Sequence, residues 1–257
     1  GAVITFRNIA YGASAMTEQA GLTNNDGLLS YLPLAHVAER SVIEHASLYS
    51  GSCVTFVESL ETFTEDLQNA EPAFFFSVPR LWMKFQSGVL SKISQKKLEK
   101  LLGIPLVSRM LKHKLKKQLG LGKTRIFGSG TAPISLATLE WFRSIGIDIG
   151  EGWGMTETAG TAIMNHPFNQ DKMGTIGRPI KGTEIKISEQ GEILVKGDGV
   201  IKQYYKDPDK TAETFKHGWL HTGDKGKFDA EGYIQITGRV KDIFKSGKGK
   251  YVVPVPI

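Results

Sequence analysis

The string Gly152-Trp153-Gly154-Met155-Thr156-Glu157-Thr158 sets a hydroxyl and a carboxylate side by side behind two glycines. Glycine lets a backbone approach a ligand closely. Thr156 can hydrogen-bond a phosphate. Glu157 can hold a Mg²⁺ ion that in turn binds phosphates, since Mg²⁺ takes few protein carboxylates and completes its shell with water and phosphate oxygens. Trp153 offers a face for stacking on a base. By itself the string also fits an ordinary strand-to-helix turn with a threonine cap. No Ser-His-Asp or Cys-His arrangement for attack by a side chain is supported. Cys53 is the only cysteine, which excludes an internal disulfide and fits a reducing compartment such as the cytoplasm. Its run, Cys53-Val54-Thr55-Phe56-Val57, reads as a strand with Cys53 as a small buried hydrophobe. His45 and His113 have no chemical context and read as ordinary.

The elements that must position these groups alternate along residues 1–82. Residues 28–34 are a short apolar run broken by Pro33. Residues 52–57 are β-branched behind Gly51 and predict a buried strand, and 63–69 predict a helix capped at Thr62 or Thr64. Residues 73–78, with three consecutive phenylalanines, predict another buried strand stopped by Pro79. Leucines recur at helical spacing over 84–121, broken at Gly103 and Pro105. A strand at 124–127 leads into Gly128-Ser129-Gly130-Thr131-Ala132-Pro133, a helix follows over 135–145, and a strand at 147–149 enters Glu151-Gly152-Trp153-Gly154 as a turn. Strands separated by helices favour a layered α/β lobe with a mainly parallel sheet. After about residue 172 short strands at 184–187, 192–195 and 233–237 alternate with turns, which predicts an antiparallel sheet or small distorted barrel.

The net charge of +6 is uneven: residues 84–125 hold 12 Lys or Arg and one acid, Glu99, so that segment carries +11 and the remainder −5. One basic segment on a slightly acidic body points to a local anionic partner, not to nucleic acid. An anionic membrane surface is one such partner for leucines and lysines on an interfacial helix; a solvated basic face over a leucine core is the other reading. No apolar run reaches the roughly 18 residues of a membrane span.

Five segments, in order, resemble the motifs of the adenylate-forming superfamily, which contains acyl-CoA synthetases, luciferases and the adenylation domains of peptide synthetases. They are Leu32-Pro33-Leu34-Ala35-His36, Gly128-Ser129-Gly130-Thr131-Ala132-Pro133, Gly152-Trp153-Gly154-Met155-Thr156-Glu157-Thr158, Trp219-Leu220-His221-Thr222-Gly223-Asp224 and Gly238-Arg239-Val240-Lys241-Asp242. The resemblance implies a nucleotide site made of Gly130, Thr131, Ala132, Pro133, Glu151, Gly152, Trp153, Thr156, Asp224 and Arg239. Within it Asp224 would accept both ribose hydroxyls. Arg239 would contact ribose or phosphate. Glu157 would be the metal ligand, with Thr156, Glu157 and Lys245 as the catalytic set. It further implies that His36 stands where the acyl pocket meets the CoA tunnel and that Lys241 is the hinge about which a smaller C-terminal domain rotates. The implied substrates are ATP, with Mg²⁺, a carboxylic acid and CoA.

Two stretches resemble the long-chain fatty acid branch: Val78-Pro79-Arg80-Leu81-Trp82 followed by a long helical insert, and Asp242-Ile243-Phe244-Lys245-Ser246-Gly247-Lys248-Gly249-Lys250-Tyr251. A fatty acyl-AMP ligase, or another adenylating enzyme that serves a carrier protein, is the alternative. The resemblance divides the chain into an α/β lobe over 1–171, a β-rich subdomain over 172–240, and a hinge with the start of a further domain over 241–257. Gly1-Ala2-Val3-Ile4-Thr5 resembles the residues just after the family's phosphate-binding loop. On that reading the 257 residues alone have little or no synthetase activity.

Overall fold

The computed structural model describes residues 1–240 and, as backbone, the paired strands Phe244–Lys245 and Tyr251–Val252. Strands β1 (Gly27–Ser30), β2 (Cys53–Phe56), β3 (Phe74–Ser77), β4 (Ile126–Ser129) and β5 (Ile149–Met155) run parallel. Strands β6 (Gly160–Met164) and β7 (Arg178–Pro179) extend the sheet antiparallel, in the order β2-β1-β3-β4-β5-β6-β7. The connections carry α1 (Phe6–Ala20), a π-helical stretch Glu39–His45 running into α2 (Ala46–Ser50), α3 (Phe63–Ala70), α4 (Pro79–Leu90), α5 (Gln95–Leu102), α6 (Pro105–Gln118) and α7 (Leu136–Ser144).

Local chemistry sets these boundaries. The Asn8 N–H donates to Thr5 Oγ1 at 3.3 Å, and the Thr5 N–H donates to Asn8 Oδ1 at 2.9 Å, which closes a reciprocal cap on α1. Pro79 and Pro105 occupy the first positions of α4 and α6, where a missing N–H costs nothing. Ser135 caps α7 by accepting from the Thr138 N–H. Within the sheet, neighbouring side chains point to opposite faces. Phe75 and Phe127 join Trp82, Leu139 and Phe142 in one buried cluster, while Phe74 and Ile126 join Met16, Leu28 and Val42 in another.

Beyond Pro179 the chain forms an antiparallel sheet of β8 (Thr183–Ile187), β9 (Glu192–Gly197), β10 (Phe215–Lys216), β11 (Trp219–Phe228) and β12 (Ile234–Arg239), with α8 (Pro208–Thr214) leading into β10. Of the two forms expected for this region, it takes the sheet. A third cluster joins Ala162 and Ile163 of the first sheet to Ile193, Val195, Leu220 and Ile234 of the second. Helix α1 ties the same two parts: Asn8 Nδ2 donates to the Asp198 and Val200 carbonyls, and the Tyr11 hydroxyl donates to the Lys181 carbonyl at 2.6 Å.

Two expectations are corrected. Cys53 is exposed, and Phe56 on the same strand is 70% exposed, because β2 is the outermost strand of its sheet. The strand was legible; its lateral position was not. Gly152 and Gly154 do not form a turn but lie inside β5, paired with β6. Among the described residues no helix is long and apolar enough to cross a membrane.

Candidate active site

The glycines permit crowding between neighbouring strands. A Cβ on Gly154 would fall 1.6 Å from the Gly160 carbonyl oxygen, so only glycine lets β5 and β6 pair there. A Cβ on Gly130 would fall 2.9 Å from the Gly152 carbonyl oxygen, which places the loop after β4 directly against β5. In that loop Thr131 takes a left-handed backbone, φ 69°, and Thr131, Ala132 and Pro133 are exposed. A non-glycine residue held in this region stores on the order of 1 kcal/mol, a strain that tends to collect at functional sites.

Trp153 leaves β5 toward the second sheet. Its indole Nε1–H donates to Asp224 Oδ2 at 2.9 Å. Asp224 sits on β11 opposite Arg239 on β12, and Arg239 Nε–H donates to Asp224 Oδ1 at 3.1 Å. Trp153 and Arg239, from two other motifs, thus share the Asp224 carboxylate. Asp224 is 16% exposed and Arg239 is 69% exposed, so the ion pair adds little stability and chiefly orients the carboxylate. Each carboxylate oxygen keeps a further lone pair for a ligand hydroxyl. The turn before Asp224 is held from behind: Glu192 accepts from the Gly223 N–H at 2.8 Å through one oxygen and meets His221 Nδ1 at 2.8 Å through the other.

Thr156 and Glu157 begin a short 3-10 turn directly after β5. Thr156 is exposed. Glu157 Oε1 accepts from the Tyr204 hydroxyl at 2.7 Å, and its carbonyl accepts from the Ile201 N–H at 2.9 Å. Burial, and then the neighbouring Glu157 carboxylate, push the Tyr204 phenol up to about 12, so it stays a donor.

His36 lies in the turn after β1, where its Nδ1 accepts from the Ala38 N–H at 3.1 Å. The neutral ring therefore carries its proton on Nε2. His36, Thr131, Gly152 and Trp153 all line one narrow apolar cavity whose walls include Phe74 and Met164. The turn is braced by Glu39, fully buried in the π-helical stretch, whose Oε2 accepts from the Leu32 N–H at 3.2 Å. Burial raises the Glu39 carboxyl above its ordinary range.

The structure thus gathers Gly130, Thr131, Gly152, Trp153, Asp224, Arg239 and His36 around one region, with Thr156 and Glu157 at the end of β5. Glu151 does not line the cavity: its Oε2 accepts from the Gly174 N–H at 2.9 Å, and burial pushes its carboxyl up to about 7. Lys241 lies outside the described residues, and Lys245 is described only as backbone in the strand Phe244–Lys245. Tyr204 and Glu192 are site residues that the sequence reading missed. The sole local signal at Tyr204 is an aromatic pair ahead of the helix start at Asp207-Pro208, which does not specify a carboxylate partner.

Residues 1–205 match the AMP-binding enzyme family. The chain is 33% identical, over its whole length, to the putative fatty-acid--CoA ligase fadD11 of Mycobacterium tuberculosis and covers 50% of that protein. It is 34% identical, again over its whole length, to the human long-chain-fatty-acid--CoA ligase 1 and covers 41% of it. The chain therefore spans about half the length, or less, of these relatives. Among solved structures, ATP-bound MatB from Rhodopseudomonas palustris superimposes with a TM-score of 0.76 at 27% identity, over 99% of this chain and 48% of that one. The o-succinylbenzoate CoA synthetase MenE of Bacillus subtilis, in complex with its acyl-adenylate intermediate, gives 0.76 at 27% identity, over 99% of this chain and 49% of that one. With the matched family covering most of its residues and the site's motifs meeting in space, the chain belongs to the AMP-binding, adenylate-forming enzymes.

Proposed function

We propose that this chain forms the nucleotide and acyl site of a long-chain fatty acid–CoA ligase. In the first step a fatty carboxylate oxygen attacks the α-phosphorus of ATP; a P–O bond forms to the acyl group, and the bond to the leaving pyrophosphate breaks. In the second, the CoA thiol, as it releases its proton to water, attacks the acyl carbonyl; a C–S bond forms, the bond from the acyl carbon to the phosphate oxygen breaks, and AMP leaves. Both are displacements in which positioning and charge neutralisation carry the catalysis.

The observation that carries the reading is the shared Asp224 carboxylate, held by Trp153 and Arg239, beside an apolar cavity lined by His36, Thr131 and Trp153. Asp224 would bind the ribose hydroxyls, and the exposed Thr156 a phosphate. His36, with its Nε2–H free of the turn, would stand between acyl and CoA groups. Lys245 would act at the acyl or CoA end, and Lys241 would be the hinge. Among the described residues no cluster of three or more acidic, His or Cys side chains could hold a metal by itself. Glu157, whose Oε1 accepts from the Tyr204 hydroxyl, would hold a Mg²⁺ ion together with the phosphates. Bound there, the ion would neutralise phosphate charge.

The long-chain assignment is supported by the Val78-Pro79-Arg80-Leu81-Trp82 stretch, by the α5–α6 insertion that follows it, and by the names of relatives at 33–34% identity. The test is ATP- and CoA-dependent thioester formation across fatty acids of increasing length, with the enzyme at its relatives' full length. A long-chain optimum is expected. Acyl-adenylate that accumulates and ignores CoA would instead make it an acyl-AMP ligase, and no adenylate with any carboxylate would remove the enzymatic reading.

A further inference from the structure

The α5–α6 hairpin has features that the nucleotide site does not use. It is fixed to the body at its base: Leu98 and Leu115 are buried in the main cluster, and Trp141 Nε1 donates to Gln95 Oε1 at 2.9 Å. At the opposite end the two helices are joined through Gly103-Ile104, and there Ile104, Leu106 and Met110 are 46%, 80% and 73% exposed. Leu106 and Met110 are one turn apart and share a face of α6. Further along that face the chemistry changes from apolar to basic at His113 and Lys117, and exposed Lys100, Arg109 and Lys114 flank it. Among the described residues, no ion pair engages Lys100, Arg109, Lys114 or Lys117.

We infer that this hairpin docks the protein on anionic phospholipid bilayers by its tip, with Ile104, Leu106 and Met110 entering the acyl boundary and the exposed Lys100 and Arg109 beside them resting on the headgroups. Two features select a bilayer over a soluble polyanion. Large apolar side chains at the tip would contribute nothing to a purely ionic partner. Their grouping at one end of α6, rather than in a stripe along it, suits insertion end-first and not a helix lying flat. The positive charge supplies the complement to an anionic leaflet, where each Lys or Arg near the surface strengthens binding about fivefold. The inference rests on this surface alone, so its failure leaves the proposed ligase activity untouched.

The experiment is co-sedimentation of this chain with vesicles of phosphatidylcholine, with and without phosphatidylglycerol. Binding is expected only with phosphatidylglycerol, and it should weaken at least about tenfold in the Leu106→Glu/Met110→Glu variant. Both positions are exposed, so far-ultraviolet circular dichroism should show the variant folded. A second readout places a polarity-sensitive dye on Met110→Cys in a Cys53→Ser background; its emission should shift to the blue on anionic vesicles. Failure to sediment with anionic vesicles overturns the inference. So does a tip variant that binds equally well. So does binding without a blue shift that soluble polyglutamate abolishes, which would mark the surface as a general polyanion site.

Discussion

Asp224 accepts from Trp153 and Arg239, and on the proposed reading its remaining lone pairs bind the ribose. Asp224→Asn replaces the charge and one acceptor with donors, and AMP affinity measured by calorimetry should fall on the order of a hundredfold, the worth of one or two hydrogen bonds to a charged group. Trp153→Phe keeps an aromatic face but removes the N–H that orients Asp224; the loss should be about three- to tenfold. Glu151 makes a separate, pH-dependent claim. Its folded pKa is raised to about 7 by burial, above its value in the unfolded chain. The folded state therefore holds the proton more tightly. The resulting stabilisation is complete below about pH 4.5 and is lost as pH rises toward 7, roughly 3 kcal/mol in all. Glu151→Gln should flatten this dependence and should raise the melting temperature above that of the parent at pH 8, with the gap shrinking below pH 5. A melting curve of equal pH dependence in both proteins would refute the burial argument.

At the scale of elements, Gly154→Ala would place a methyl 1.6 Å from the Gly160 carbonyl oxygen, in a pairing between strands that has no room to relax. It should destabilise the protein by more than about 3 kcal/mol, read by urea denaturation. The same position marks where sequence reading stopped. Two glycines one residue apart are a turn signal, and nothing local distinguishes a turn from a strand pressed against its neighbour. Cys53 is the parallel case: its run correctly announced a strand, yet burial depends on which strand lies beside it, and β2 has a neighbour on one side only. Native Cys53 should therefore react with a thiol reagent at nearly the rate seen in denaturant, where a buried thiol would be protected by orders of magnitude. The breaks at Gly103 and Pro105, the cap at Ser135 and the strand stop at Pro79 were legible because each is enforced by one residue's own geometry.

At the scale of the molecule, the layered α/β fold followed by an antiparallel sheet could be read from the spacing of strands and helices. Which distant residues touch could not. Trp153 and Asp224 are 71 positions apart, and Glu157 and Tyr204 are 47 apart; motif resemblance named the first pair without joining them and overlooked Tyr204 entirely. The main core is carried by Trp82, fully buried among Phe75, Phe85 and Phe142, with its indole N–H on the Gly128 carbonyl. Trp82→Ala should cost about 3–5 kcal/mol in a denaturant titration. The indole–carboxylate bond between Trp153 and Asp224 has one more consequence. It crosses from one sheet to the other, so any rocking of the sheets against each other must stretch it. A ribose seated on Asp224 would sit on that same seam, and its departure and the parting of the sheets would be a single event. The residence time of a bound nucleotide would then be governed by the mechanics of the seam rather than by the strength of its contacts alone.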